Sequence, residues 1–265
     1  MAGSHKGGTP LPHSWGWLKK LLASPPYLPD GYNATDFARF MREETYLYSP
    51  RYAKRSVVIH NGQSLGEITR RHGAILAPVH YGSFFLPSGA IVHQLKLPCT
   101  DIVTSRNLTV LPAEEESFWR GVHQRSSQLY QQPLFHSGIT SPRVLMQYLT
   151  APNKLLLAML DVREAGSTAK EFPFIFLQQQ IYLQTGPARL ACLARVPLVP
   201  TCIQYNLAER RHHLYFGSPV WPSKSPIDMT QQTITQLEGY VAAQPQQLFH
   251  DLIDVFSQPA LRQQA

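Results

Sequence analysis

Two apolar runs in this chain each end on a side chain that can handle a proton. Residues 74–79 (Ala-Ile-Leu-Ala-Pro-Val) lead into His80, and residues 155–160 (Leu-Leu-Leu-Ala-Met-Leu) lead into Asp161. A short uninterrupted apolar run is the pattern of a strand buried on both faces. His80 and Asp161 are therefore expected where buried strands meet solvent, and an imidazole placed there can take or return a proton near neutral pH. The competing readings are a histidine satisfied inside the core and an aspartate that merely shapes a turn. Tyr81-Gly82-Ser83 follows His80 as a turn. Ser83 is expected either to cap the next helix, the preferred reading, or to act at the site. Arg106, beyond the next strand, and Arg163, just past Asp161, offer guanidinium forks that suit two phosphate oxygens at once. Plain surface solvation is the alternative for both. Thr185 and Gly186 stand at a helix start, where backbone N–H groups can meet an oxyanion or a phosphate, or serve only as an N-cap.

The elements that must position these residues read as an alternation of helices and strands. A helix is expected over 35–46, with Thr35 or Asp36 at its start and Phe37, Phe40, Met41 and Tyr48 roughly on one face. A second covers 65–72 and ends at Gly73, a natural residue just past a helix end. The strand reaching His80 follows, then the turn, then a helix over 84–95 despite Pro87 and Gly89. Such a strand, tight turn and helix form the junction where ligands bind in open α/β sheets. A strand over 100–105, helices over 117–131 and 144–149, and the strand reaching Asp161 continue the pattern. Residues 164–170 read as a polar loop, and Phe172, Phe174, Ile175 and Phe176 with Ile181 and Leu183 as extended chain. That run either lines an apolar groove or packs the core. A helix opens at Gly186-Pro187 and runs to about residue 194, with Pro187 suiting its first turn. Strands over 198–205 and 213–216 precede a helical tail over 233–256 that breaks near Pro245. The expectation is a single α/β domain with a mainly parallel central sheet flanked by helices, over residues 31–258. A flexible segment over 1–30 precedes it, and a short tail over 259–265 follows.

At 265 residues with 43% hydrophobic side chains, the chain can bury a substantial core. Its formal charge of +7 attracts polyanions. There is no zinc spacing, no aromatic RNA-binding signature and no dense Lys/Arg run, which argues against nucleic acid. No dinucleotide loop or metal-ligand spacing stands in the sequence, so no cofactor is implied. Cys99, Cys192 and Cys202 are too scattered for a disulfide framework; they favour a reducing compartment and read as small buried hydrophobes. His5, Lys6, Pro10, Pro12 and His13 interrupt any secretory signal at the start, and the chain is expected to stay cytosolic. The most apolar long window, 74–92, carries His80, Pro78 and Pro87, which speaks against a membrane span. Trp15-Gly16-Trp17-Leu18-Lys19-Lys20-Leu21-Leu22 reads either as a short interfacial anchor or as an ordinary helix.

In order along the chain stand Val79-His80-Tyr81-Gly82-Ser83-Phe84-Phe85, Ser105-Arg106-Asn107, Ala158-Met159-Leu160-Asp161, Phe172-Pro173-Phe174, Thr185-Gly186-Pro187-Ala188 and Val196-Pro197-Leu198-Val199-Pro200. Glu238-Gly239-Tyr240 with Pro245-Gln246-Gln247 follows. This order resembles the lysophospholipid and lipid A late-acyltransferase superfamily from about residue 35 to 256. The resemblance implies a glycerolipid acyltransferase-like fold. It also implies transfer of an acyl or aminoacyl group, glycyl included, from a phosphopantetheine-bound thioester on a carrier protein to a hydroxyl of lipid A. Its setting would be the cytoplasmic side of the inner membrane, with the protein peripheral to the membrane surface. His80 would be the general base, and the arginines would hold a phosphate of lipid A or of the pantetheine arm. The family pairs this histidine with an acid five residues on, but here that position is Phe85, which can neither accept a hydrogen bond nor offset charge. Asp161 is the first candidate to take over, with Asp101 second. The alternatives are an inert member that binds lipid or carrier protein without chemistry, and an acyl-CoA-dependent enzyme acting on another lipid or metabolite.

Overall fold

The computed structural model describes residues 39, 40, 44, 47–104, 109, 111–163, 167–223 and 225–248. Its centre is a seven-stranded sheet in the order β1-β9-β8-β2-β5-β3-β4. The strands are β1 (Val57–Ile59), β2 (Ala74–Ala77), β3 (Cys99–Val103), β4 (Phe135–His136), β5 (Leu155–Leu157), β8 (Leu198–Asn206) and β9 (Arg211–Phe216). All neighbours run parallel except β8 and β9, which form an antiparallel hairpin. A separate antiparallel pair, β6 (Glu171–Phe176) and β7 (Gln179–Gln184), stands apart from the sheet. The expected architecture, α/β with a mainly parallel sheet flanked by helices, is the observed one.

Helices cover both faces, which is why β2 and β5 read as apolar without alternation. Ile75, Ala77 and Leu156 pack on one face with Leu190, Ala191, Ile234, Leu237 and Val241. Ala74, Leu76, Leu155 and Leu157 pack on the other with Leu86, Ala90 and Ile91. The helices are α1 (Pro50–Ser56), α2 (Gly62–Ile68), α3 (Pro87–Ala90), α4 (Ala113–Tyr130), α5 (Pro142–Thr150), α6 (Gly186–Ala194) and α7 (Pro226–Ala243); a π-helical turn, Ile91–Leu95, extends α3. Serine hydroxyls cap three of them, each just before a proline in the first turn: Ser49 on α1, Ser141 on α5 and Ser225 on α7.

Several boundaries differ from the sequence reading. Helix α2 lies three residues earlier than expected at its start and stops at Thr69, whose hydroxyl donates to the Leu65 carbonyl. Gly73 is no helix end: a Cβ there would lie 2.6 Å from the Lys154 carbonyl oxygen and 2.8 Å from that of Leu149. The helix after His80 begins only at Pro87, so that proline starts the helix instead of interrupting it. Helix α7 begins at Pro226, well before residue 233. The segment Phe172 to Phe176 belongs to the β6–β7 hairpin beneath α7. Among the described residues no helix is long and apolar enough to cross a membrane. Cys99 and Cys202 are buried, whereas Cys192 is partly exposed, and all three are free thiols. The possible anchor at 15–22 and all the expected domain limits lie outside the described residues.

Candidate functional site

The chain leaves β2 toward α3 on one face of the sheet, and leaves β5 toward α6 on the other. β2 and β5 are adjacent, with Leu76 opposite Leu157. Their C-terminal ends therefore diverge, and ligands of open α/β sheets bind in the crevice that such a divergence opens. Before they part, the two chains stay paired for a few residues past the ladder, since Ala158 N–H donates to the Leu76 carbonyl and Leu160 N–H to that of Pro78, both at 2.9 Å. Asp161 follows Leu160 directly, and His80 stands two residues past Pro78.

Asp161 meets His80 twice. Its Oδ2 accepts the His80 backbone N–H at 2.7 Å, and its Oδ1 lies 2.9 Å from Nδ1 of the ring. An ionised carboxylate only accepts hydrogen bonds. Nδ1 therefore carries the ring proton, and Nε2 keeps the lone pair a base requires. Asp161 is buried, while the His80 side chain is 24% exposed. The Phe84 ring meets the imidazole at 79°, with centroids 4.6 Å apart. This pair, made across 81 residues of sequence, has the acid–imidazole geometry that orients a general base. Asp101, the second candidate partner, does not make it.

The turn holding His80 is fixed from below. Gly82 has φ of 60°, and its N–H donates to the Gln247 carbonyl at 3.0 Å. Tyr81 pairs with Leu248, and its hydroxyl donates to the Gln244 carbonyl at 3.1 Å. Ser83 is fully buried, and its hydroxyl donates to the carboxylate of Glu44. It caps no helix, because α3 starts at Pro87, which corrects the preferred expectation for it. Glu44 also accepts the Tyr52 hydroxyl and meets Nε2 of His212, so three polar groups satisfy this fully buried carboxylate. Sequence reasoning passed over Glu44. Its signal was a charge four residues after Phe40, on the apolar face of the expected helix.

His80 lines a cavity of about 290 Å³ on the α3–α4 face, together with Phe84, Phe85, Trp119, Leu157 and Met159. Phe85 packs on Phe84 and Trp119 with centroids 4.1 and 5.3 Å away. Three polar groups stand on the same cavity wall: Asp101, which the sequence offered only as a partner for His80, and His123 and Ser126, to which it assigned no role. Asp101 is buried, accepting the Ser88 hydroxyl and, at 2.8 Å, that of Tyr130. Burial raises its carboxyl to about 6 against the opposing effect of those two hydrogen bonds. Burial also pushes His123 down to about 4, helped by His136 and Arg120. Near neutral pH the wall therefore carries one carboxylate and a neutral imidazole.

Because the folded protein holds a proton on Asp101 more tightly than the unfolded chain does, ionising it costs stability. That cost is absent below about pH 4 and complete above about pH 6. Asp101→Asn is therefore expected to raise the melting temperature at pH 7.5, by up to roughly 3 kcal/mol of stability, and to change little at pH 4. Thermal denaturation at the two pH values measures this, and an equal shift at both would count against it.

A second cavity, of about 340 Å³, lies on the α5–α6 face and shares Ile102, Thr104, Met159 and Val162 with the first. Gly186 lines this second cavity, away from the one containing His80. Thr185 is buried at the N-cap position of α6 and makes no capping bond with its side chain. Arg163 is held by Glu171, with Nε 2.6 Å from Oε1 and a terminal nitrogen 3.1 Å from Oε2. It thus grips a carboxylate of the protein where a phosphate clamp was expected. Ser105, Arg106 and Asn107 lie outside the described residues. None of Phe172, Phe174, Ile175 and Phe176 lines either cavity. Comparison with protein-family models and with curated protein sequences finds no match to this chain.

Proposed function

We propose that this chain is a transferase that moves an acyl group bearing an amine from a carrier-protein thioester to a hydroxyl of lipid A, acting as a glycerolipid acyltransferase-like enzyme at the cytoplasmic face of the inner membrane. The observation that carries the reading is the His80–Asp161 pair, whose imidazole lines a cavity that adjoins a second one. In the reaction Nε2 of His80 removes the hydroxyl proton as the oxygen attacks the thioester carbonyl, and a C–O bond forms. Asp161 stabilises the imidazolium through Nδ1. The tetrahedral intermediate collapses, the C–S bond breaks, and the leaving thiolate takes the proton back from His80. The inert alternative drew its motive from Phe85, and a carboxylate already seated on the imidazole weakens that motive.

The aminoacyl version draws support from the walls of the first cavity. A fatty chain there would press against the Asp101 carboxylate, whereas an ammonium would gain from it. Aromatic faces of Phe84, Phe85 and Trp119 favour a cation as well. The experiment is incubation of the purified protein with lipid A and, in separate arms, glycyl-carrier, fatty acyl-carrier and acyl-CoA. A mass increase on the lipid by one aminoacyl group is expected from the first arm. No mass gain from any donor would overturn the reading, and gain only from acyl-CoA would favour that alternative. Asp101→Asn is expected to raise KM for the aminoacyl donor by about 30-fold, the worth of one charge-assisted hydrogen bond, and to leave fatty acyl transfer unharmed. Equal loss with both donors would remove the amine from the account.

A further inference from the structure

The mouth of the second cavity is built for something other than water. Ile139, in the turn before α5, is 70% exposed, Leu193 on α6 is 58% exposed and Val144 on α5 is 44% exposed. Their neighbours Gly138, Thr140, Pro142, Leu145 and Arg189, with Leu193 itself, line the cavity, so the three apolar side chains ring one opening. Between them Arg143, Arg189 and Arg195 are all exposed. Acidic residues are excluded from this part of the chain: none stands between Glu116 and Asp161, and none between Glu171 and Glu209. Helices α5 and α6, which pack together, both fall inside those two stretches. On α5 and α6 themselves, protruding apolar side chains interleaved with arginines and without a carboxylate suit a bilayer whose headgroups are anionic.

We propose that the α5–α6 face seats on an anionic phospholipid surface. Ile139, Val144 and Leu193 enter the boundary between headgroups and acyl chains, and Arg143, Arg189 and Arg195 meet the phosphates. The second cavity, lined by Leu145, Leu160, Leu190 and Leu193, then opens directly into lipid and receives one hydrocarbon chain of the acceptor. It shares a wall with the His80 cavity at Met159 and Val162, so a lipid hydroxyl enters from one side of the sheet edge and the thioester from the other. This assignment rests on the reading of the acceptor as a lipid.

The test is co-sedimentation of the full chain with vesicles of phosphatidylcholine alone or mixed with phosphatidylglycerol, with no donor present. Wild type is expected to partition onto the mixed vesicles, and more weakly as salt rises. The double variant Ile139→Glu/Val144→Glu, altered only at exposed positions outside both cavity walls, is expected to lose at least tenfold in partitioning on the mixed vesicles with an unchanged melting temperature. Arg143→Glu/Arg195→Glu is expected to lose about fivefold per arginine removed on the mixed vesicles alone. Wild type that ignores both vesicles, or variants that partition as wild type does, would overturn the assignment, including the case in which the chain binds lipid through another segment. Because binding is read without transfer, vesicle binding by a protein that transfers nothing would uphold this surface and sink only the enzymatic reading.

Discussion

Asp161→Asn is expected to slow the proposed transfer by about a thousand-fold or more while leaving the protein folded. In the wild type both oxygens of Asp161 accept, one from the His80 backbone N–H and one from Nδ1 of the ring. An asparagine has one acceptor and one donor for these two places. If its oxygen faces Nδ1, its NH2 group is driven against the backbone N–H, and two buried donors oppose each other at a cost of about 1–3 kcal/mol. If its oxygen faces the backbone, its NH2 group donates to Nδ1, and the ring proton must move to Nε2. The second arrangement satisfies every group and wins. It also removes the lone pair that the proposed reaction needs to take the hydroxyl proton, and nothing then balances the imidazolium. Loss should fall on kcat, with KM for the donor nearly unchanged, since Asp161 is buried behind His80. His80→Ala should be at least as slow, and His80→Ala/Asp161→Asn no slower than His80→Ala, because the two side chains act as one unit. Single-turnover transfer measured on the three variants checks this. An Asp161→Asn enzyme within a few-fold of wild type would show that the carboxylate only shapes the turn.

How much of this site could be read beforehand follows from which interactions are local. β2 and β5 were legible because burial on both faces removes every polar residue from them, so the first polar residue after each run, His80 or Asp161, marks the exit. That the two exits are neighbours was not legible. β3 follows β2 in sequence yet lies beyond β5 in the sheet, and only the strand order puts β5 against β2. Helix ends divide in the same way. The start of α6 at Gly186-Pro187 was read correctly from a local signal. The Ser225–Pro226 start of α7 carried an equally local signal that was overlooked. Gly73, by contrast, answers to the carbonyls of Leu149 and Lys154, partners more than seventy residues away that no local pattern reveals. The carboxylate partners of Ser83 and Arg163, Glu44 and Glu171, were not legible either, because the fold brings each pair together. Asp101 was noticed only as a possible partner for His80, and its place beside His123 on a cavity wall was hidden because a cavity has no sequence.

Gly82→Ala should be the most damaging single methyl group in the described chain. Its φ of 60° lies in the left-handed region, which alone costs an alanine about 1–2 kcal/mol. The larger problem is space, since a Cβ on Gly82 would lie 1.9 Å from the carbonyl oxygen of Ile203, far inside any real contact. That oxygen belongs to β8, in the middle of the sheet, and cannot yield as a flexible side chain would. The turn must move instead, but Gly82 N–H is bonded to Gln247 and Tyr81 is paired with Leu248 on the opposite side. Shifting the turn breaks those bonds and draws Ser83 from Glu44, so several buried polar groups lose partners together. A loss of more than about 3 kcal/mol is expected, or roughly 10 °C in melting temperature for a chain of this size. His80 stands two residues away, and a displacement of about 1 Å there can cost a hundred-fold in rate. Transfer measured well below the lowered melting point should therefore fall much further than the folded fraction does. A Gly82→Ala protein that melts within a degree or two of wild type would mean that the turn has slack, and with it that His80 is not held in the place on which its role as a base depends.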